Sequence, residues 1–186
     1  MNPTIETILN RRSVRDYSDK QIKDEDLDLI LKAGSYAPSA SNIQSWHFTV
    51  VQSKEIIKQL SEEAKKELLK SGHEMFRNVA SNKSFDLFYG APTIIVVSGE
   101  SEAPVPQLDC AAATENMLLA AESLGIGSCW VGFATFLFMS RRAKEFAELL
   151  KIPEGYDPYY AITFGYKEHP NLTPQPRRGG IINYIK

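Results

Sequence analysis

The sequence predicts a single domain built of both helices and strands, and three observations carry that prediction. Leu108–Leu124, the start of LDCAAATENMLLAAESLGIGSCWVGF, is apolar in nearly every direction, free of Pro and Gly, and rich in good helix formers. Gly125 follows where a helix C-cap is expected. Apart from a narrow stripe with Glu115 and Glu122, this helix needs cover all round, from a core or a subunit interface. Second, Ser128–Phe133 and the β-branched run Thr93–Val97 read as buried strands. Third, helix and strand segments alternate, which taken alone suggests a parallel sheet. The 186 residues are enough for one domain, 1–186, with a real core.

The other elements follow in order. Thr4 is placed to cap a short helix bearing Ile5, Ile8 and Leu9. Asp24 opens a second, with Leu27, Ile30 and Leu31 on one face and Gly34 weakening its end. Trp46–Val51 alternates like a strand. Ser53 caps a helix whose face is Ile56, Ile57, Leu60, Ala64 and Leu68, ended by Gly72. From His73 to Phe88 the pattern is irregular and reads as surface loop. Pro104 and Pro106 break the chain before the central helix. Ala134 to Met139 is an apolar link, Ser140 caps a helix carrying Ala143, Phe146, Leu149 and Leu150, and Tyr159–Tyr166 is the last strand. A tail with Pro170, Pro174 and Pro176 ends in the apolar run Ile181 to Ile185, which needs something to bury it.

Composition narrows the function. Hydrophobic residues make up 43% and the formal net charge is −2, which describes a globular chain and argues against a general nucleic-acid binder. No run reaches membrane length, and the N-terminus lacks a signal-peptide pattern. Cys110 and Cys129 lie in apolar surroundings and read as inert core thiols, so a cytoplasmic, reducing location is expected.

Arg11-Arg12-Ser13-Val14-Arg15 places three cations and a hydroxyl at the end of the first helix. Two readings are open. Cations suit the negative end of a helix dipole, and arginine forks also match phosphate oxygens, with Ser13 a neutral donor. The loop Ala37-Pro38-Ser39-Ala40-Ser41-Asn42-Ile43-Gln44 offers uncharged donors and acceptors, as a heterocycle edge requires, or is ordinary turn chemistry. Asn78, Asn82 and Lys83 are further candidate contacts. Histidines 47, 73 and 169 have no metal-ligand spacing, and there is no P-loop and no G-x-S-x-G elbow. Gly125-x-Gly127 follows a helix and precedes a strand, the wrong context for a dinucleotide turn.

Taken in order, Arg11-Arg12-Ser13-x-Arg15, Ala-Pro-Ser39-x-x-Asn42-x-Gln44-x-Trp46 and Tyr89-Gly-Ala-Pro92 resemble the nitroreductase family of flavoproteins. So do Glu115-Asn116 in an Ala-rich helix, Leu124-Gly-Ile-Gly-Ser-x-Trp130-x-Gly132, and an arginine-bearing tail ending in Tyr184-Ile185. The resemblance spans nearly the whole chain. It implies an α+β fold with a mixed, largely antiparallel central sheet flanked by helices, in place of the parallel sheet. It also implies a homodimer that exchanges its C-terminal segment and holds FMN at each interface. The chemistry implied is hydride transfer from NADH or NADPH through the flavin to a small acceptor, a nitroaromatic or quinone, in a ping-pong cycle.

Carried over by position, Arg11, Arg12, Ser13 and Arg15 are expected to bind the phosphate, ribityl chain and pyrimidine side of the flavin. Pro38, Ser39, Ser41, Asn42 and Gln44 are expected to line the site of the other subunit. Asn82, or Asn78 by nearly the same spacing, falls at the pyrimidine edge. Cys129, Trp130, Val131 and Gly132 pass along the ring with a backbone N–H near N5, and Arg177 or Arg178 completes the phosphate grip. No acid–base side chain is required, because the flavin performs the hydride transfer. Some relatives carry an acidic residue where this chain has Val131. Reductive dehalogenation, flavin fragmentation and non-catalytic flavin binding are the competing readings.

Overall fold

The computed structural model describes residues 1–169 and 173–186. Pro170, named above as part of the tail, lies outside them. Seven helices and four strands run in the order α1 (Pro3–Asn10), α2 (Asp24–Ser35), β1 (Trp46–Val51), α3 (Lys54–Leu69), α4 (Glu74–Ser81), β2 (Thr93–Glu100), α5 (Pro106–Ser123), β3 (Gly127–Val131), α6 (Thr135–Phe138), α7 (Ala143–Leu149) and β4 (Tyr156–Gly165).

The sheet order is β1-β2-β4-β3, and every neighbouring pair of these strands is antiparallel. This corrects the parallel sheet that alternation suggested. One helix, α5, does separate β2 from β3, and those two strands do run the same way; but β4 inserts between them. Two helices, α3 and α4, separate β1 from β2, so the chain re-enters the sheet reversed. The parallel element of the mixed pattern is an isolated bridge, Ser13 with Ser128.

β2 is central, and its side chains alternate between two cores. Ile94 and Val96 pack with Leu60 and Ala64 of α3, Leu137 of α6 and Phe146 of α7. Ile95 and Val97 pack with Leu27 and Ile30 of α2 and Met117, Leu118 and Ala121 of α5. The strand is therefore apolar without a break, whichever way its neighbours run. α5 is buried along most of its length, while Leu108 and Glu115 face outward. Gly125 closes it with φ 74°, the left-handed cap expected there.

Other expectations shift in instructive ways. Residues 74–81 form α4 and not a loop, with Phe76 and Ala80 turned inward and Met75 and Val79 exposed. Asn2, not Thr4, caps α1: its side chain accepts from the Thr4 N–H, and Pro3 takes the first helical position. Pro106 likewise begins α5 where a break was expected. β3 stops at Val131, with a 3₁₀ turn over Gly132–Ala134, and the apolar link contains α6. Ser53 caps α3 as expected, its Oγ accepting from Ile56 N–H. Both cysteines are free and buried.

Candidate functional site

After α1 the chain runs extended across the open edge of β3. Val14 N–H donates to the Ser128 carbonyl at 2.9 Å, and Ser18 N–H to Tyr166 O at 3.0 Å. Val14 and Tyr17 are buried and anchor the strip. The crossing is close. A β-carbon on Gly127 would sit 2.9 Å from Lys167 Cγ and 3.0 Å from Val14 Cγ2, and one on Gly165 would sit 2.9 Å from both Pro92 Cδ and Tyr17 Cδ1. These two glycines face each other in the β3–β4 pairing.

The strip presents its cations to a cavity of about 320 Å³ lined by Arg11, Arg12, Ser13, Arg15, Thr173, Gln175 and Arg177. The tail thus delivers Arg177 to the cluster, and Arg178 is not in this lining. Arg12 serves the helix-end reading through Nη1, which donates to the carbonyls of Leu9 at 2.7 Å and Arg11 at 2.6 Å. Among the described residues its Nε is buried without a partner, so this side chain is only half used by them. Arg11 reaches Glu115 at 3.9 Å, but Glu115 is half exposed. An exposed pair at that distance is worth up to about 1 kcal/mol, less than the roughly 1.5–3 kcal/mol of a charge-assisted bond to an anion. The Glu115 contact is therefore the weaker of the two. Arg15 lies 5.8 Å over the Tyr89 ring, and Tyr89 holds a left-handed φ of 57°.

β3 runs beside the strip without lining this cavity. Cys129 is buried, and burial pushes its thiol pKa up despite the opposing influence of Arg15, Ser13 and Arg11. It is a neutral filler, not a nucleophile. Val131 is buried. Trp130 is 36% exposed, its ring 4.5 Å from that of Tyr160. Gly132 is exposed, its φ is not left-handed, and a β-carbon there would meet nothing within 4 Å. Nothing in its own chain requires a glycine at this position. Beyond it, Phe133 contacts Phe76 of α4, ring centroids 5.3 Å apart.

The remaining expected residues do not line the arginine cavity of their own chain. Pro38, Ser39, Ser41, Asn42 and Gln44 sit in a loop at the N-terminal end of α5. Asn78 is exposed on α4, and the Asn82 side chain turns back to accept from Ser84 N–H at 3.0 Å. The loop is held in an unusual shape: Ser41, Asn42 and Gln44 have φ of 50°, 57° and 57°, at a cost on the order of 1 kcal/mol each. Its fastening is Asp109, 4% exposed, whose Oδ1 accepts from Ala40 N–H at 3.0 Å and Oδ2 from Ser45 Oγ at 2.8 Å. Sequence reading passed over Asp109. The available signal was a carboxylate on the core face, in line with Ala113 and Met117 at helical spacing.

The family model described as "Nitroreductase family" matches residues 8–166. The chain belongs to the nitroreductase family. A relative in Archaeoglobus fulgidus, whose name places it among the NADH dehydrogenase/NAD(P)H nitroreductases, is 39% identical over 170 residues, covering 89% of this chain and 86% of its own. A Bacteroides fragilis nitroreductase solved with bound FMN superposes with a TM-score of 0.91 at 37% identity, over 100% of both chains. A Desulfitobacterium hafniense nitroreductase, also with bound FMN, gives 0.91 at 31% identity over 100% of both chains. As in those nitroreductases, the fold joins helices to an antiparallel sheet. Among the described residues no helix is long and apolar enough to cross a membrane.

Proposed function

We propose that this chain is an FMN-dependent oxidoreductase that takes hydride from NADH or NADPH and delivers it to a small acceptor such as a nitroaromatic or quinone, in a ping-pong cycle. The observation that carries this reading is the cation cavity with the orphaned Arg12 Nε, held by the strip along the edge of β3, the strand that the uncovered Gly132 directly follows. The donor set fits FMN. Arg11, Arg12, Arg15 and Arg177 suit a phosphate, Ser13 a ribityl hydroxyl, and the bare surface at Gly132 a flat ring laid against backbone.

Bound FMN supplies the hydride-accepting and hydride-donating centre. The chain's own residues bind and orient it. Positive charge from the strip would favour the pyrimidine side when it carries negative charge, and a backbone N–H by Gly132 would serve as the donor to N5. No general acid is needed, and Cys129 stays neutral.

The functional unit in this reading is a homodimer. α1 buries none of its residues, leaving Ile5, Ile8 and Leu9 about half exposed at 48%, 46% and 54%. Leu108 of α5 is 68% exposed, and Ile181, Ile182, Tyr184 and Ile185 of the tail are all more than half exposed. Such a quantity of uncovered apolar surface is what a second copy would bury. That copy would supply the 38–44 loop, and each tail would reach across. Free buried thiols fit a cytoplasmic enzyme.

The test is the absorption spectrum of the purified protein, followed under anaerobic NADH and NADPH and then with menadione or a nitrofuran. A flavin spectrum that bleaches and returns on adding acceptor is the expected result. A protein without affinity for FMN, or whose flavin stays oxidised, would overturn the reading.

A further inference from the structure

We infer that Asp109 is a positioning residue for cofactor binding in trans: it fixes the 38–44 loop of its own protomer in the shape that completes the flavin site of the other. This rests on the homodimeric flavin reading above. The loop carries Ser41, Asn42 and Gln44 in left-handed backbone conformations that non-glycine residues avoid, and a short loop keeps such a shape only where its surroundings over-determine it. Gln44 N–H donates to Ser39 Oγ at 2.9 Å within the loop. Two carboxylate bonds of Asp109 tie the loop to the body of the protein, to Ala40 N–H on one side of the strained residues and to Ser45 Oγ on the other, beside the Glu100 N–H that donates to the Ser45 carbonyl at 2.8 Å. Asp109 is 4% exposed and Ser45 1%, so the Ser45 bond is shielded from water and the Ala40 bond partly so, and solvent does not replace them at no cost. Yet Ser39, Ser41, Asn42 and Gln44, held in this way, contribute nothing to the arginine cavity of their own chain. The fastening therefore shapes a surface away from that cavity, which in the homodimeric reading faces the other protomer, and in that reading Asp109 does not itself touch the cofactor.

Placement in trans makes an unusual prediction. Homodimers of Asp109→Ala are expected to bind FMN about tenfold more weakly, as are those of Arg15→Ala. In a mixed dimer of the two, one site combines the intact strip of the Asp109→Ala protomer with the intact loop of the Arg15→Ala protomer. The other site carries both defects. Co-expression with two affinity tags and tandem purification isolates that dimer, and FMN titration reads it. One site per dimer at wild-type affinity is expected. Two equally weakened sites would overturn the inference, since they mean that loop and strip act within one protomer. Asp109→Asn keeps an acceptor for Ala40 N–H and a donor for Ser45, and is expected to restore most of the affinity. Ser45→Ala cuts the same fastening from the loop side and replaces Asp109→Ala in the mixed dimer should that variant not fold. Wild-type protein that binds no FMN defeats the functional reading itself; wild-type binding with an unaffected Asp109→Ala homodimer defeats this inference alone.

Discussion

The Tyr17 hydroxyl lies 2.7 Å from the Val14 carbonyl and 2.8 Å from Thr163 Oγ1, so a single buried phenol ties the arginine-bearing strip to β4. Tyr17→Phe leaves Thr163 satisfied, because its Oγ1 also reaches Cys129 O at 3.3 Å. It orphans the Val14 carbonyl. The expected cost is about 1–2 kcal/mol, read as a lowered Tm, with weaker FMN binding because the strip is no longer pinned beside Arg15. An unchanged Tm would mean that Val14 and the strip's backbone bonds suffice.

Burial also governs the response to alkali. It pushes the Cys110 thiol up to about 12, with Asp109 adding to the effect, and raises the phenols of Tyr17 and Tyr160 above their ordinary value. Each group is neutral when protonated and has a higher pKa folded than unfolded. Its contribution is complete below the unfolded value, about 8.5 for the thiol and 10 for the phenols, and is lost as pH rises beyond it. Tm should hold to about pH 8 and decline progressively above it, with Cys110→Ala removing the earliest part of the decline. A Tm that is flat to pH 11 would contradict the shielding of these groups.

Arg15→Ala should weaken FMN binding by about ten- to a hundredfold, the worth of one charge-assisted contact. Added salt should weaken the variant less than the wild type, because fewer charges remain to be screened. Equal salt slopes in a fluorescence titration would assign Arg15 to the solvated surface.

Gly132→Val should fold normally, since a β-carbon there meets nothing within 4 Å and the backbone is not left-handed. Flavin reduction is expected to fall by about a hundredfold, as the branch holds the ring away from the backbone donor. Stopped-flow reduction by NADPH, run beside a melting curve, separates the two effects. Wild-type rates with FMN bound would place the ring elsewhere.

Ile8→Glu tests the homodimer. No residue of α1 is fully buried within its own chain and Ile8 is 46% exposed, so the change costs an isolated protomer little and an interface much more. Sedimentation should show the variant shifted toward monomer with its helix content retained. A dimer as tight as the wild type would exclude α1 from the contact.

Residue pattern made the parts legible where periodicity was strong and the context local. β1 falls on Trp46–Val51 as read, and Ser53 and Gly125 mark helix ends as their chemistry dictates. Four of the arginines meet at one cavity. The topology was hidden for a definite reason. α4 is only eight residues long, and its apolar residues are split between an inward pair, Phe76 and Ala80, and an exposed pair, Met75 and Val79, so they mark no long buried face. Missing that helix removes one reversal of the chain and turns an antiparallel sheet into a parallel one. Asp109 was hidden for another reason: its partners, Ala40 and Ser45, lie more than sixty residues away in sequence, and one is a backbone amide.

The facing pair Gly127 and Gly165 gives the cation cluster a foundation made of absent atoms. Where two strands lack side chains, the sheet has a notch, and the chain carrying Ser13 and Arg15 settles into it at a height set by bare backbone. A methyl group at either glycine would jack the strip upward from beneath, against the rigid ring of Pro92 or the branched Val14. Affinity for a phosphate would then respond to positions that no ligand ever meets. In a selection for flavin retention these two glycines would register as though they were binding residues, and the chain would tolerate new charges around the cavity's rim far more readily than a single alanine beneath the strip.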